Sequence, residues 1–477
     1  MKQTTLDCVI PVPVSVVFSE GAFSLPCLQS VFAPGDAASA GEEILRAAAS
    51  FGIFCGLTDD PDSALRLKLD SSLGAESWKI RVEPSAVSIS GGDKAGLFYA
   101  VAAFTQMLAA ASSRGPSFAR LECGTVCDSP RFSWRGFMLD SARHFQSVET
   151  VKAVIRLMAH FRLNVFHWHL TDNQGWRIGT GIVSPETSRD ALSPGRYSRE
   201  DLLEVAAWAR KHFVRIVPEV DIPGHSKGLV QAYPQFACDP AQTGSELCIG
   251  HPEVKTFLKK IYAELFEIFP DSRYIHFGGD EAETSHWEKC PRCREAMKKG
   301  GFTTMRELEN SFMVEMTRFA AEHGRTPIVW GTGTGFPSDT VVQAWLDIRE
   351  PLKHAAKGNK VIASVHNSYY FDYPADLSEP HETWMFGLQP ENVYMADPYV
   401  IWEKQLKESM LGPEACLWTE TVPEWRTVQK ILPRIGAYAE CAWSRPEQKE
   451  WYSFLRRKNQ LLSAGYEDFL RLDIREK

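Results

Sequence analysis

"YIHFGG" (residues 274–279) runs straight into "DEAETSHW" (280–287), so a short apolar segment ends on two glycines and then on the adjacent carboxylates Asp280 and Glu281. Seven other short apolar segments read as strands: "WRGFMLD" (134–140), "LNVFHWHL" (163–170), "FVRIVPEV" (213–220), "PIVW" (327–330), "VVQAW" (341–345), "VIASVH" (361–366) and "ACLWTE" (415–420). Amphipathic helical patterns fall between the earlier ones, among them "ETVKAVIRLMAHF", "REDLLEVAAWARKH" and "PEVKTFLKKIYAELFEIF", and "EWRTVQKILPRIGAYAECAW" follows the last. Eight strands alternating with helices predict an α/β fold, a (β/α)8 TIM-type barrel whose fifth to eighth units are irregular.

The chain has 477 residues, more than one core usually organises, so a barrel-sized unit plus a smaller one is expected. Before the barrel, "EEILRAAASFGIF" and "AGLFYAVAAFTQMLAAA" read as helices and "WKIRVEPSAVSISGG" as alternating strands around a turn. Residues 1–125 are therefore expected to form a small α+β domain, and 126–477 the barrel. The composition is 44% hydrophobic and 23% charged, with a net charge of −8 and no basic patch, so nucleic acid is not an expected partner. No apolar run reaches the roughly 18 residues of a membrane helix, and no membrane partner is expected. The opening "MKQTTLDCVIPVPVSVVFSEG" lacks the compact apolar core of an export signal. The chain as written reads as cytoplasmic, or as secreted or periplasmic if a leader has been removed.

Eleven cysteines scattered along a long chain argue against a disulfide framework. "CPRC" (Cys290 to Cys293) stands apart, because its spacing suits a metal or a redox pair, and Cys238 and Cys248 could supply two further ligands if their loop folds beside it. Free thiols or disulfides are the alternatives.

In a (β/α)8 barrel the active site lies at the carboxyl ends of the strands. Here four consecutive ends carry charge: Asp140, Arg143 and His144; Asp172; Glu219, Asp221 and His225; Asp280 and Glu281. Any one could be a solvated loop or an ion pair, but four on one rim point to chemistry. Gly278 and Gly279 let the backbone turn so that both following carboxylates reach one cavity, and crowding raises the proton affinity of one of them. A protonated carboxyl beside an ionised one suits glycoside cleavage. The ordinary two-carboxylate scheme sets acid and nucleophile about 5 Å or more apart on either side of the bond, so one of these neighbours is expected to do something other than attack carbon.

"HFGGDE", with "RGFMLDSARHF", "FHWHLTDNQGWR", "PEVDIPGH" and "CLWTE", resembles the family 20 glycoside hydrolases, the β-N-acetylhexosaminidases, with all five motifs in family order. The resemblance implies a retaining exo-acting enzyme in which the substrate's 2-acetamido oxygen attacks the anomeric carbon through an oxazolinium-like intermediate. It gives Glu281 the general acid/base role and makes Asp280 the residue that orients the acetamido N–H. Tyr370 becomes the tyrosine that hydrogen-bonds the acetamido oxygen. Arg143, Asp372 and Glu420 would grip the sugar hydroxyls, while Asp172 and His225 support the acid. Trp330, Trp345 and Trp418 would wall the methyl group and stack under the ring, as flat apolar surfaces suit the C–H faces of sugars. The expected partner is a glycan ending in an N-acetylhexosamine. No cofactor and no catalytic metal are implied. A disaccharide-releasing enzyme like the lacto-N-biosidases, or a non-catalytic glycan-binding module, are the alternative readings. Two details depart from the family pattern or leave a choice: Glu414 stands where a glutamine is expected, which points to an altered packing contact, and Tyr369 adjoins Tyr370. The long segment 372–398 has few regular signals and is expected near the rim.

Overall fold

The computed structural model describes residues 4–472 apart from 26–27, 114, 116–118, 185–192, 242–243, 332, 334 and 403. Its first part is a seven-stranded mixed sheet built from β1 (Ser15–Ser24), β2 (Ser30–Phe32), β3 (Gly56–Thr58), β4 (Leu65–Leu69), β5 (Trp78–Val82), β6 (Val87–Gly91) and β7 (Arg120–Asp128), in spatial order β1-β7-β5-β6-β4-β2-β3. β5 alternates buried and exposed along "WKIRV", so one face of the sheet is apolar and needs cover. Helix α1 (Ala38–Ser50) and helix α2 (Lys94–Ser112) supply it.

α2 is buried on every side from Gly96 to Ala111, because it lies between the sheet and the barrel. Phe98 packs edge-on against His212, and Tyr99 meets Trp443 at 5.4 Å. This helix corrects the expectation that no apolar run is long enough to span a membrane: it has 19 residues and a mean hydropathy of 1.4 over its most apolar window, of which 89% is buried in the fold. Beneath it, Arg135 joins the two parts. Its guanidinium, wholly buried, donates to Glu76 Oε1 at 2.5 Å and to the carbonyls of Phe132 and Arg162 at 2.6 and 2.7 Å.

The barrel consists of β8 (Gly136–Asp140), β9 (Val165–His169), β10 (Arg215–Glu219), β11 (Tyr274–His276), β12 (Thr326–Trp330), β13 (Val341–Ala344), β14 (Val361–Ala363) and β15 (Met410–Leu417), all parallel and closed by the pairing of β15 with β8. All eight expected strands are present. Capped helices follow the early strands, two of them with reciprocal capping boxes, Ser198 with Asp201 and Thr304 with Glu307. Among the described residues the connections between β12 and β15 hold only short helices such as Glu350–Ala355 and His366–Tyr369, in line with irregular fifth to seventh units, whereas the eighth is regular, with the 17-residue helix Thr427–Trp443 after β15.

The eighth strand begins five residues earlier than its apolar run suggests. Gly412 and Pro413 carry loop signals, yet both lie inside β15, at a slip of register between Val361 and Ile362 of β14. A side chain at Gly412 would sit 1.9 Å from the Trp134 carbonyl oxygen, so only glycine lets the strand pass there.

Candidate active site

The residues leaving seven of the eight strands, all but β12, converge on one cavity of about 630 Å³ at the carboxyl end of the barrel. Asp280 and Glu281 reach it because the chain turns sharply after β11: Gly278 and Gly279 have φ of +65° and +98°, and Glu281 itself has φ +52°. A side chain at Gly278 would overlap the Asp221 carboxylate at 1.7 Å, whereas the Gly279 N–H donates to that carboxylate at 3.1 Å. The glycine pair thus lets the loop fold back over the end of β10. His225, at φ +47°, is the second non-glycine residue of the cavity held in the left-handed region, a strain that clusters at functional sites.

Arg143 is fixed from three sides. Its Nη2 meets Asp172 Oδ2 at 2.7 Å, its Nη1 meets Asp140 Oδ2 at 3.3 Å and Glu420 Oε1 at 3.6 Å, and its guanidinium lies 4.9 Å from the centre of the Trp418 ring. Asp172 also accepts from His225 Nδ1 at 3.2 Å, and His225 Nε2 faces Glu281 Oε2 at 3.6 Å. Burial alone would raise Asp172, but Arg143 and His225 hold it well below the usual carboxylate range. Burial would likewise lower His225, yet Asp172 and Glu281 push it well up, so it carries its proton.

The two adjacent carboxyls shift in opposite directions. Asp280, 8% exposed, is pushed up to about 6 by burial, with Glu219 and Glu281 adding to the shift and His225 opposing it. The side chain of Glu281 is 59% exposed, and the hydrogen bond to His225 holds it below its ordinary value. Burial therefore raises the inner partner, while His225 stabilises the charge on the exposed one.

Tyr370 lines the cavity with its ring 6.1 Å from that of Trp418, whereas Tyr369 points behind it toward Cys441. Trp345, Trp418, Asp372 and Glu420 also line the cavity. Burial and the nearby Glu420 push Asp372 up to about 8. Of the expected site residues, Trp330 alone does not reach the cavity. It is buried beneath Trp418, 5.9 Å between rings, and its indole N–H donates to Glu219 at 2.9 Å, because a strand residue one step short of the rim points into the barrel. Asp221, expected only as a strand-end charge, lines the cavity, and so do Trp384 and Met385 of the irregular segment. The one available signal for Trp384 was a tryptophan in a loop without apolar periodicity. Three buried polar atoms of these lining residues lack a hydrogen-bond partner among the described residues: Asp280 Oδ1, Asp372 Oδ1 and Trp345 Nε1.

Below the cavity the barrel interior is polar. Glu219 meets His167 Nε2 at 3.0 Å, His276 Nδ1 at 2.9 Å and His169 Nδ1, and His169 Nε2 reaches Asp172 at 3.2 Å. Glu414 faces His167 Nδ1 at 2.7 Å and accepts from Trp134 and Gln343 at 2.9 and 2.7 Å. The glutamate at 414 thus does more than alter packing: it brings a second charge to His167. Burial would lower that histidine, but Glu219 and Glu414 together push it up to about 9, from 6.5. A raised value stabilises the fold fully below about pH 6.5, and the contribution, about 3 kcal/mol, is lost as pH rises through about 9. Glu414→Gln removes one of the two carboxylates. Its melting temperature is expected to fall less between pH 6.5 and 9 than that of the parent, and parallel curves would disprove the ion pair.

Residues 132–446 match the model of the glycosyl hydrolase family 20 catalytic domain, and residues 8–129 match that of glycosyl hydrolase family 20, domain 2. The chain belongs to glycosyl hydrolase family 20. It is a glycoside hydrolase of the β-N-acetylhexosaminidase family. A beta-hexosaminidase of Akkermansia muciniphila is 32% identical over 417 residues, covering 81% of this chain and 83% of its own. Among solved structures, the exo-β-N-acetylglucosaminidase of Vibrio harveyi in complex with N-acetylglucosamine superposes with a TM-score of 0.88 at 26% identity, over 100% of this chain and 79% of that one. A mutant Streptomyces plicatus beta-hexosaminidase in complex with its product GlcNAc gives 0.84 at 26% identity, over 97% and 95%. The family 20 barrel and its preceding domain are therefore both represented here.

Proposed function

We propose that this family 20 enzyme removes terminal β-linked GlcNAc or GalNAc with retention, using the substrate's own acetamido oxygen as the nucleophile. The observation that carries the reading is Asp280 Oδ1, a buried carboxylate oxygen without a hydrogen-bond partner among the described residues, beside the exposed acid Glu281 in a cavity walled by Trp345, Trp418 and Tyr370. An acceptor so placed suits an amide N–H, and a flat apolar wall suits a methyl group and a sugar face. Both structural neighbours described above were solved with N-acetylglucosamine bound, which supports the same sugar here.

On this reading the acetamido oxygen attacks C1 as the C1–O bond breaks, and Glu281 gives its proton to the departing oxygen. Asp280, ionised above about pH 6, accepts the acetamido N–H and stabilises the positive charge of the cyclic intermediate, while the Tyr370 hydroxyl donates to the acetamido oxygen. Water then attacks C1 as the bond from C1 to the acetamido oxygen breaks, which restores the acetamido group, and Glu281 takes the proton of that water. Glu281 must be protonated for the first step. His225 holds it low, and a sugar that covers it strips away water, so the added burial raises it toward the working range. His225, held by Asp172, positions the acid. Arg143, Asp372 and Glu420 bind the ring hydroxyls, and Trp330 supports the wall from below. Residues 1–125 act as a scaffold for the catalytic unit, 126–477.

Initial rates on the p-nitrophenyl β-glycosides of GlcNAc, GalNAc and glucose test the reading. Cleavage of the N-acetyl sugars with no measurable action on the glucoside is expected. Comparable cleavage of the glucoside would require a nucleophile from the protein and defeat the proposal.

A further inference from the structure

Away from the sugar cavity, four cysteines from two loops converge. Cys238 and Cys248 lie in the loop that leaves β10, and in the loop that leaves β11 Cys290 precedes the helix Pro291–Gly300 and Cys293 sits in its first turn. The Sγ–Sγ separations are 3.8 Å for Cys238–Cys293, 3.7 Å for Cys248–Cys290 and 3.6 Å for Cys248–Cys293, and all four sulfurs lie within 4.8 Å of one another. Cys248, Cys290 and Cys293 are buried. Gly250 lets the two loops approach this closely, since a side chain there would stand 2.5 Å from the Arg292 carbonyl and 2.6 Å from the Cys293 nitrogen.

We propose that Cys238, Cys248, Cys290 and Cys293 together bind one zinc ion. A tetrahedral site with Zn–S bonds of about 2.3 Å sets its sulfurs about 3.8 Å apart, the spacing found here, whereas a disulfide needs about 2.05 Å. Binding exchanges the four thiol protons for the ion and leaves a net charge of −2 on the site. Arg292, between two of the ligands, supplies a neighbouring positive charge, and its Nη2 donates to the Ala237 carbonyl at 2.5 Å. All four positions are filled by protein, so the ion is structural. It staples the loop of Asp221 and His225 to the loop of Asp280 and Glu281. The same two loops already touch where a side chain on Gly224 would stand 3.1 Å from the Asp280 carbonyl oxygen, and where the Trp287 indole donates to Leu247 at 2.9 Å.

The test is metal analysis of the full chain, purified from zinc-supplemented culture without chelator. One zinc per chain is expected, and none in Cys290→Ser/Cys293→Ser. Cobalt(II) exchanged into the parent protein should give sulfur-to-cobalt charge-transfer bands with the d–d pattern of a tetrahedral site. Stripping the zinc should lower the melting temperature, and returning zinc should restore it. If the double variant does not fold, the zinc content and cobalt spectrum of the parent decide alone. Absence of stoichiometric zinc, iron in its place, or disulfide-linked peptides among these four cysteines in a non-reducing peptide map would each overturn the proposal.

Discussion

Glu281→Gln is expected to slow hydrolysis of natural-type N-acetylhexosaminides by about 10²- to 10⁴-fold while slowing p-nitrophenyl glycosides far less. A sugar leaving group needs a proton as the bond breaks, whereas p-nitrophenolate leaves without one, so the loss follows leaving-group basicity only if Glu281 is the acid. The contact between His225 and Glu281 adds a second expectation. Glu281 is held low by His225, and substrate is proposed to raise it. The alkaline limb of the pH profile for kcat, which reports the complex, should then lie at higher pH than the limb for kcat/KM, which reports the free enzyme. Measured rates on chitobiose and on the aryl glycoside, each across pH, supply both comparisons. Equal loss on the two substrates would remove Glu281 from the acid role.

Asp280→Asn is expected to lower kcat on every N-acetyl substrate by about 10²- to 10³-fold, whatever the leaving group, because it removes the charge that stabilises the intermediate. Stability should move the other way. A carboxyl raised from 3.8 to about 6 by burial costs the fold stability as pH rises through that window, about 3 kcal/mol by neutral pH. The neutral amide escapes that cost, so at pH 7.5 the variant should melt at or above the temperature of the parent. A marked fall in melting temperature would make Asp280 a structural residue, and the kinetic loss would then say nothing about chemistry. The pair of variants thus separates the two neighbours: one loss depends on the leaving group, the other does not.

Much of the cavity was legible from strand ends. Arg143, Asp172, His225, Asp280 and Glu281 stand just past apolar runs, and strand ends in a parallel barrel share one rim. Glu420 came from the family resemblance. Tyr370 and Asp372 depended on the family resemblance, since "YYFDYP" has no strand pattern of its own. Trp330 differs: it stands at a strand end in the sequence, and one residue of register decides whether it faces the sugar or the barrel interior. Trp384 and Met385 stayed hidden because a loop without periodicity gives no direction to its side chains.

By itself the sequence determined the eight-stranded barrel, the mixed domain before it, the family and the adjacency of Asp280 and Glu281, because hydrophobic periodicity and motif order are local properties of the chain. Only the tertiary structure decided which of the two carboxyls gains proton affinity, how Glu414 and Glu219 share His167, and that Cys238, Cys248, Cys290 and Cys293 form one cluster. Each of these depends on burial and on charges brought together across long separations in sequence, and those distances exist only once the barrel has closed.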